Sequence, residues 1–271
     1  MTEVTTPAKP DASLERIAQG LAAARADWKA FLCMVAKFPR YSFTNTILIF
    51  QQCPHASLVQ GFNHWRKLGR FVKKGEKGIQ IFAPRVSKDD EGKKGVRGFH
   101  AVYVFDIDQT DGEPLPAKLP TPTSDGEDAT ARAHIDTLTA WLLETHGCPV
   151  TLQHNPQADG LYRRDAHRIE LEPLSGDICR LGTLIHEAAH ALLHRKDEDR
   201  AGLTRDLREL EAESVAVIVC ERFEIPRAAG LEYLAQFDAT PEAVRTHGER
   251  IVRAAQLIIN ALEPRAAAGE A

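Results

Sequence analysis

Leu181-Gly182-Thr183-Leu184-Ile185-His186-Glu187-Ala188-Ala189-His190-Ala191-Leu192-Leu193-His194 carries two imidazoles and a carboxylate on a segment whose apolar residues repeat as those of a helix do. On a helix His186 and His190 stand one turn apart and can close on a single metal ion, with Glu187 beside the ion's open side. The residue types suit that chemistry. Neutral imidazole nitrogens bind Zn2+ at roughly 2.0–2.1 Å, three protein ligands leave one position to water, and the ion makes that water acidic. Glu187 is then the general base that takes the proton and later returns it to a leaving amine. Leu181, Leu184, Ile185, Ala188, Ala189, Leu192 and Leu193 surround the ligands, as expected of a helix running through a buried site.

The third ligand is expected from Arg208-Glu209-Leu210-Glu211-Ala212-Glu213-Ser214-Val215-Ala216-Val217-Ile218-Val219-Cys220, which reads as a second buried helix. Glu209, Ala212, Glu213 and Ala216 share one face, so two carboxylates project beside two methyls small enough to admit the first helix closely. Glu209 is assigned as ligand and Glu213 as the group that holds the far nitrogen of a ligating histidine; the reverse order stays open. Glu211 is expected to point away as a solvated charge. His194 extends the ladder of histidines, but lies about 6 Å of helix rise beyond His190, so it is placed behind the ligands or at the rim. The longer metzincin pattern is absent, because Leu193 and Lys196 stand where it has Gly and His.

The chain's 271 residues, 43% of them hydrophobic, suffice for two modest domains with cores, and no apolar run approaches a membrane span. No signal pattern opens the sequence, and Cys33, Cys53, Cys148, Cys179 and Cys220 form neither a pairing nor a zinc-ribbon spacing. We therefore expect a cytoplasmic protein with no membrane partner. Residues 1–125 carry 18 Lys and Arg against 13 Asp and Glu, whereas residues 126–271 carry 16 against 25, so the halves are expected to meet different partners.

Leu14, Ile17, Leu21, Ala24, Trp28, Phe31, Val35 and Phe38 form one helical stripe, predicting a single helix from Ser13 to Lys37; Pro39 ends it, and Ser42 caps a second helix through Phe50. A basic segment from Gly61 to Gly78 and two alternating strands, Ile79–Val86 and Val96–Phe105 around a polar turn from Ser87 to Gly95, follow as a hairpin. Phe99, Ala101, Tyr103 and Phe105 share one face of it. Residues 60–100 hold 11 basic against 4 acidic side chains, Arg66, Arg70 and Lys73 among the basic ones, with Trp65, Phe71, Phe82 and Phe99 interleaved. Basic groups track phosphates and rings stack on bases, a mixture suited to single-stranded nucleic acid, although the same composition also arises from core aromatics and solvated lysines. His64 and His100 are read as structural.

Residues 107–129, rich in Pro, Gly, Asp and Thr, read as a linker. Beyond it come a helix from Thr130 to His146, a strand Pro149–Gln153, a strand segment Leu161–Leu171 with a turn near Asp165-Ala166-His167, and Asp177 as cap of the metal-binding helix. Arg168-Ile169-Glu170-Leu171 is the expected edge strand for pairing with an extended peptide. A last helix starts at Thr240-Pro241-Glu242, with Val244, Ile251, Ala254, Ala255, Ile258 and Ile259 as its buried stripe.

With these features in view the chain resembles the ArdC-type antirestriction proteins over almost its whole length. The N-terminal likeness lies in the first helix, Arg40-Tyr41-Ser42-Phe43-Thr44-Asn45, Trp65, Leu68-Gly69, Lys74-Gly75-Glu76-Lys77-Gly78 and the strand pair ending Val104-Phe105-Asp106. In the C-terminal half, His186-Glu187-x-x-His190 followed by Glu209-x-x-Ala212-Glu213 is similar to the zincin domains of ImmA/IrrE-type peptidases. The resemblance implies an N-terminal domain that binds single-stranded DNA and a C-terminal metallopeptidase-like domain, carried on mobile elements, where it protects incoming DNA from host restriction. Carried over by position, Tyr41, Asn45, Trp65, Lys74 and Lys77 become DNA-contact candidates, and His186, His190 and Glu209 the metal set with Glu187 the base. One departure is Asp106-Ile107-Asp108-Gln109, where relatives have a Phe-Asn-x-x-Gln-like stretch.

The expected architecture is α+β: disordered residues 1–10, a helical and β-hairpin DNA-binding domain over 11–106, a linker over 107–129, a small zincin-like domain over 130–263, and a disordered tail over 264–271. Three functional readings follow: a DNA-tethered zinc peptidase acting on an unidentified protein, a single-strand-binding shield whose metal is only structural, and a regulatory peptidase acting on a repressor. The ligand set also admits Mn2+ or Co2+ in place of Zn2+.

Overall fold

The stripe read as one helix from Ser13 to Lys37 is two in the computed structural model, α1 (Ala12–Ala26) and α2 (Trp28–Lys37), and the two belong to different units of the chain. The structure describes residues 12–88, 94–115, 128–196, 203–226 and 241–263. One unit comprises Met1–Asp27 and Tyr41–Pro116, the other Trp28–Arg40 and Ala117–Ala271. The periodicity of residues 14–38 is continuous, but it serves two cores. Trp28 donates its indole N–H to Ser214 Oγ at 3.0 Å, in the second unit. The terminal segments 1–10 and 264–271, the hairpin tip 89–93 and linker residues 116–127 lie outside the described residues.

In the first unit, α3 (Phe43–Gln52) is capped by Ser42, whose side chain accepts from Asn45 N–H, as expected. It crosses α1 at Gly20, where a Cβ would stand only 2.3 Å from Ile47 Cγ2. Strands β1 (Val59–Gly61), β3 (Ile79–Lys88) and β4 (Lys94–Asp106) form an antiparallel sheet in the order β1-β4-β3. Val59, Ile79, Ile81 and Val104 are buried. The outer edge of β3 is closed by amides from α3. Asn45 accepts from Phe82 N–H and donates to Phe82 O, both at 2.9 Å, and Gln52 does the same for Gln80 at 3.0 and 2.9 Å. Two side chains thus pair like a neighbouring strand and leave that stretch of edge satisfied.

Helix α4 (Phe62–Lys67) precedes β2 (Arg70–Val72), which pairs with β5 (Thr110–Gly112). The reading of 107–112 as linker is therefore corrected. A short 3-10 helix, Ile107–Gln109, joins β4 to β5 through a reciprocal cap: Asp106 accepts from Asp108 N–H, and Gln109 Oε1 accepts from Asp106 N–H. The buried Asp106 carboxylate also accepts from Ser57 and Leu58 N–H, so the Phe-Asp-x-x-Gln stretch builds a junction.

In the second unit, α5 (Ala129–His146) starts at Asp128, whose side chain caps it, and ends at Gly147, whose φ of +62° suits glycine. Strands β6 (Val150–Leu152), β7 (Gly160–Arg163) and β8 (Arg168–Leu171) lie in the order β6-β8-β7. Arg168–Leu171 is thus the central strand, hydrogen-bonded on both sides, and β7 holds the edge expected of it. Helices α6 (Asp177–Leu193), α7 (Arg205–Arg222) and α8 (Pro241–Leu262) complete the unit. Gly176, not Asp177, occupies the cap of α6. Asp177 sits in the first turn, where its carboxylate is taken by Arg132 at 3.0 Å and Arg180 at 3.3 Å. Helix α7 is buried from Leu210 to Cys220, enclosed by α2, α6 and α8. Among the described residues no helix is long and apolar enough to cross a membrane.

Candidate metal centre and nucleic-acid interface

Helices α6 and α7 bring His186, His190 and Glu209 together. The two Nε2 atoms are 3.2 Å apart, and each lies 3.5 Å from Glu209 Oε2. Tetrahedral ligands at roughly 2.0–2.1 Å from an ion are separated by about 3.3–3.4 Å, so the three donor atoms form one face of such a site. The residues fit a divalent ion. Hydrogen bonding from His186, then from His190, holds the Glu209 carboxyl well below the usual carboxylate range. All three side chains keep some exposure, so the cluster is reachable.

Behind the cluster, Glu213 Oε2 stands 3.3 Å from His186 Nδ1, as the helical face of α7 predicts. His194 is buried, with Nδ1 2.9 Å from His190 Nδ1 and Nε2 2.8 Å from Glu211 Oε2. Glu211 is not the solvated charge expected: it is 0% exposed, and its other oxygen lies 2.6 Å from His247 Nδ1 on α8. The expectation assumed that α7 has a wet side, whereas neighbouring helices enclose it there. Signals for both missed residues exist in the sequence. Glu211 interrupts a run from Leu210 to Cys220 with no second polar face, and His247 sits on the stripe between Val244 and Ile251.

Glu187 is buried, and its Oε2 accepts from Tyr162 N–H at 2.7 Å. That amide lies on the edge of β7 away from β8. The approach is close: a Cβ on Gly160 would stand 2.4 Å from Thr183 Cγ2 and 3.3 Å from Glu187 Cγ, so a larger residue there would force the Thr183 side chain to move. Tyr162 was not singled out from sequence, because the interaction uses its backbone.

In the first unit most of the expected DNA contacts have partners within the fold. Trp65 is 0% exposed and donates its indole N–H to Phe105 O at 2.9 Å, so its ring is not available for stacking. Tyr41 OH donates to Val59 O, burial raises its pKa, and Asn45 holds Phe82. The Arg70 guanidinium binds Thr110 Oγ1 and the carbonyls of Thr110, Gly112 and Glu113, which fixes β5 against β2. Lys73 donates to Asp108 O and lies 3.7 Å from Asp111. Arg66, Lys74 and Lys77 are exposed. The exposed rings are others. In the register Gln80↔Tyr103, Phe82↔Ala101 and Pro84↔Phe99, one sheet face carries Phe99 at 67% and Tyr103 at 58% exposure. Phe62, which packs edge-on to Phe105, and Phe71 are exposed as well.

Residues 11–114 match the family model of the N-terminal domain of anti-restriction factor ArdC. The Mn(II)-bound crystal structure of the antirestriction ArdC protein from plasmid R388 superposes with a TM-score of 0.60 at 20% identity, covering 96% of this chain and 100% of that one. Its metal-free counterpart gives a TM-score of 0.50 at 21% identity, over 82% of this chain and 84% of that one. The fold is therefore the ArdC fold. An uncharacterized protein of Bacillus anthracis, pXO2-81, is 25% identical over 81% of this chain, which spans 44% of that protein's length.

Proposed function

We propose that this protein is a DNA-protective, antirestriction-type protein in which a unit that binds single-stranded DNA accompanies a metal-dependent peptidase unit, acting in the cytoplasm on an unidentified protein. The observation that carries the peptidase reading is the convergence of His186, His190 and Glu209 at tetrahedral spacing with Glu187 next in sequence to the first ligand. Mn(II) in the R388 structure supports a divalent ion; Zn2+ remains the proposed occupant, with Mn2+ and Co2+ as substitutes. When bound, such an ion supplies Lewis-acid polarisation of a carbonyl and acidification of water. Tyr162 N–H fixes Glu187 through Oε2, leaving Oε1 to take a proton from the attacking water and pass it to the leaving amine.

The DNA reading is supported by a sheet face that displays Phe99 and Tyr103 in a segment rich in lysine and arginine, with Arg66, Lys74 and Lys77 exposed. The test is a single-stranded oligonucleotide titration across a salt series, run beside a protection assay, on wild type and Glu187→Gln with metal content recorded. We expect unchanged DNA binding and metal content, with proteolysis reduced about 10²–10⁴-fold and protection lost. A Glu187→Gln variant that protects as well as wild type overturns the peptidase reading in favour of a shield with a structural metal. Absence of oligonucleotide binding at low salt overturns the DNA reading.

A further inference from the structure

We propose that His247, on α8, is a positioning residue of the metal centre, which through Glu211 and His194 fixes the tautomer and orientation of His190. The inference rests on the reading of His186, His190 and Glu209 as a metal site. One group sets the direction of every hydrogen bond in the chain. A carboxylate only accepts, so His194 carries a proton on Nε2, 2.8 Å from Glu211 Oε2, and His247 carries one on Nδ1, 2.6 Å from Glu211 Oε1. Neutral His194 then has its lone pair on Nδ1, and His190 Nδ1, 2.9 Å away, is the donor. When an ion takes the place of any proton on Nε2, His190 presents its lone pair there, on the atom that faces His186 Nε2 and Glu209 Oε2.

The two ligand histidines are therefore set up differently. Glu213 acts directly on His186 Nδ1, while His190 depends on a chain that ends on another helix. His247 gives Glu211 Oε1 its donor and so keeps the buried carboxylate turned toward His194. Partners of this kind typically contribute 10–100-fold to metal affinity. The coupling is reciprocal: an ion held by His190 also strengthens the docking of α8 at His247.

The test is Mn(II) and Zn(II) affinity of the full chain, measured by chelator competition without substrate, for wild type, His247→Leu, His247→Gln and the α8 packing control Ile258→Val, with the melting temperature of each apo protein. We expect His247→Leu to weaken both ions about 10–100-fold, His247→Gln, which keeps an N–H donor, to recover most of the loss, and Ile258→Val to leave affinity within about twofold even where it lowers the apo melting temperature. Equal affinity of His247→Leu and wild type overturns the proposal while leaving the metal site standing. An equal loss in Ile258→Val overturns it as well, since it assigns the effect to packing. If wild type binds neither ion, the metal reading falls and the proposal with it. Should His247→Leu fail to fold, hydrogen exchange on wild type decides: added metal must slow exchange in α8 around His247, and no change there overturns the proposal.

Discussion

The candidate metal centre and the aromatic sheet face place their side chains in opposite environments. Glu213, Glu211 and His194 are almost wholly buried, and each imidazole nitrogen behind the ligands meets a carboxylate or another imidazole. Phe99 and Tyr103 stand in solvent. Buried polar groups must be satisfied together, so the centre responds to substitution as a unit. Exposed rings act singly and their effects are graded, so the two units require different tests.

The sharpest contrast within the first unit is between two aromatics. Trp65→Ala removes a fully buried side chain and the donor to Phe105 O, and is expected to lower stability by about 3–5 kcal/mol, read by denaturant titration. Phe99→Ala and Tyr103→Ala are expected to change stability by less than about 0.5 kcal/mol while each weakens single-stranded DNA binding by about 1–3 kcal/mol in fluorescence titrations. If the exposed rings prove neutral for binding and Trp65 variants that fold lose it, the sheet face is not the interface.

For the metal centre the informative variable is pH. The Glu209 carboxyl is depressed, so its charge is present above the ordinary carboxylate range and is lost only as pH falls through the lowered value. Glu209→Gln removes one charge from the candidate ligand set and is expected to weaken metal binding at every pH, so its half-occupancy should lie at a higher pH than that of wild type at the same metal concentration. Half-occupancy at the same pH in both proteins would take Glu209 out of the ligand set. The smallest effect is expected at Lys77. Its replacement by alanine should reduce the slope of log affinity against log salt by about 0.7 for each phosphate the lysine neutralises, whereas Arg70→Ala is expected to act through the β2–β5 pairing instead, lowering stability.

The two regions were also unequally legible. His186, His190, Glu209 and Glu213 could be read from spacing, because a helix converts sequence interval directly into facing direction and their distances follow from two helices crossing closely. In the basic unit, composition suggested a class of ligand without deciding which side chains stay exposed to meet one. Trp65, Asn45 and Arg70 have the side chains a nucleic-acid contact needs, and the same donors serve equally well for Phe105 O, the backbone of Phe82 and the carbonyls of β5. Burial decides between those uses, and burial is a property of the assembled sheet.

Taken alone, the sequence determined what is local: the helix cap at Ser42, the hairpin and its alternating faces, the two helices that carry the candidate ligands, and the face each of them occupies. The tertiary structure decided what depends on enclosure and order in space. It divided the first stripe between two cores at Asp27, made β8 the central strand, and enclosed Glu211 so that it joined His194 to His247. Backbone periodicity reports which way a side chain points, but whether water or another helix lies there is settled only when distant segments pack.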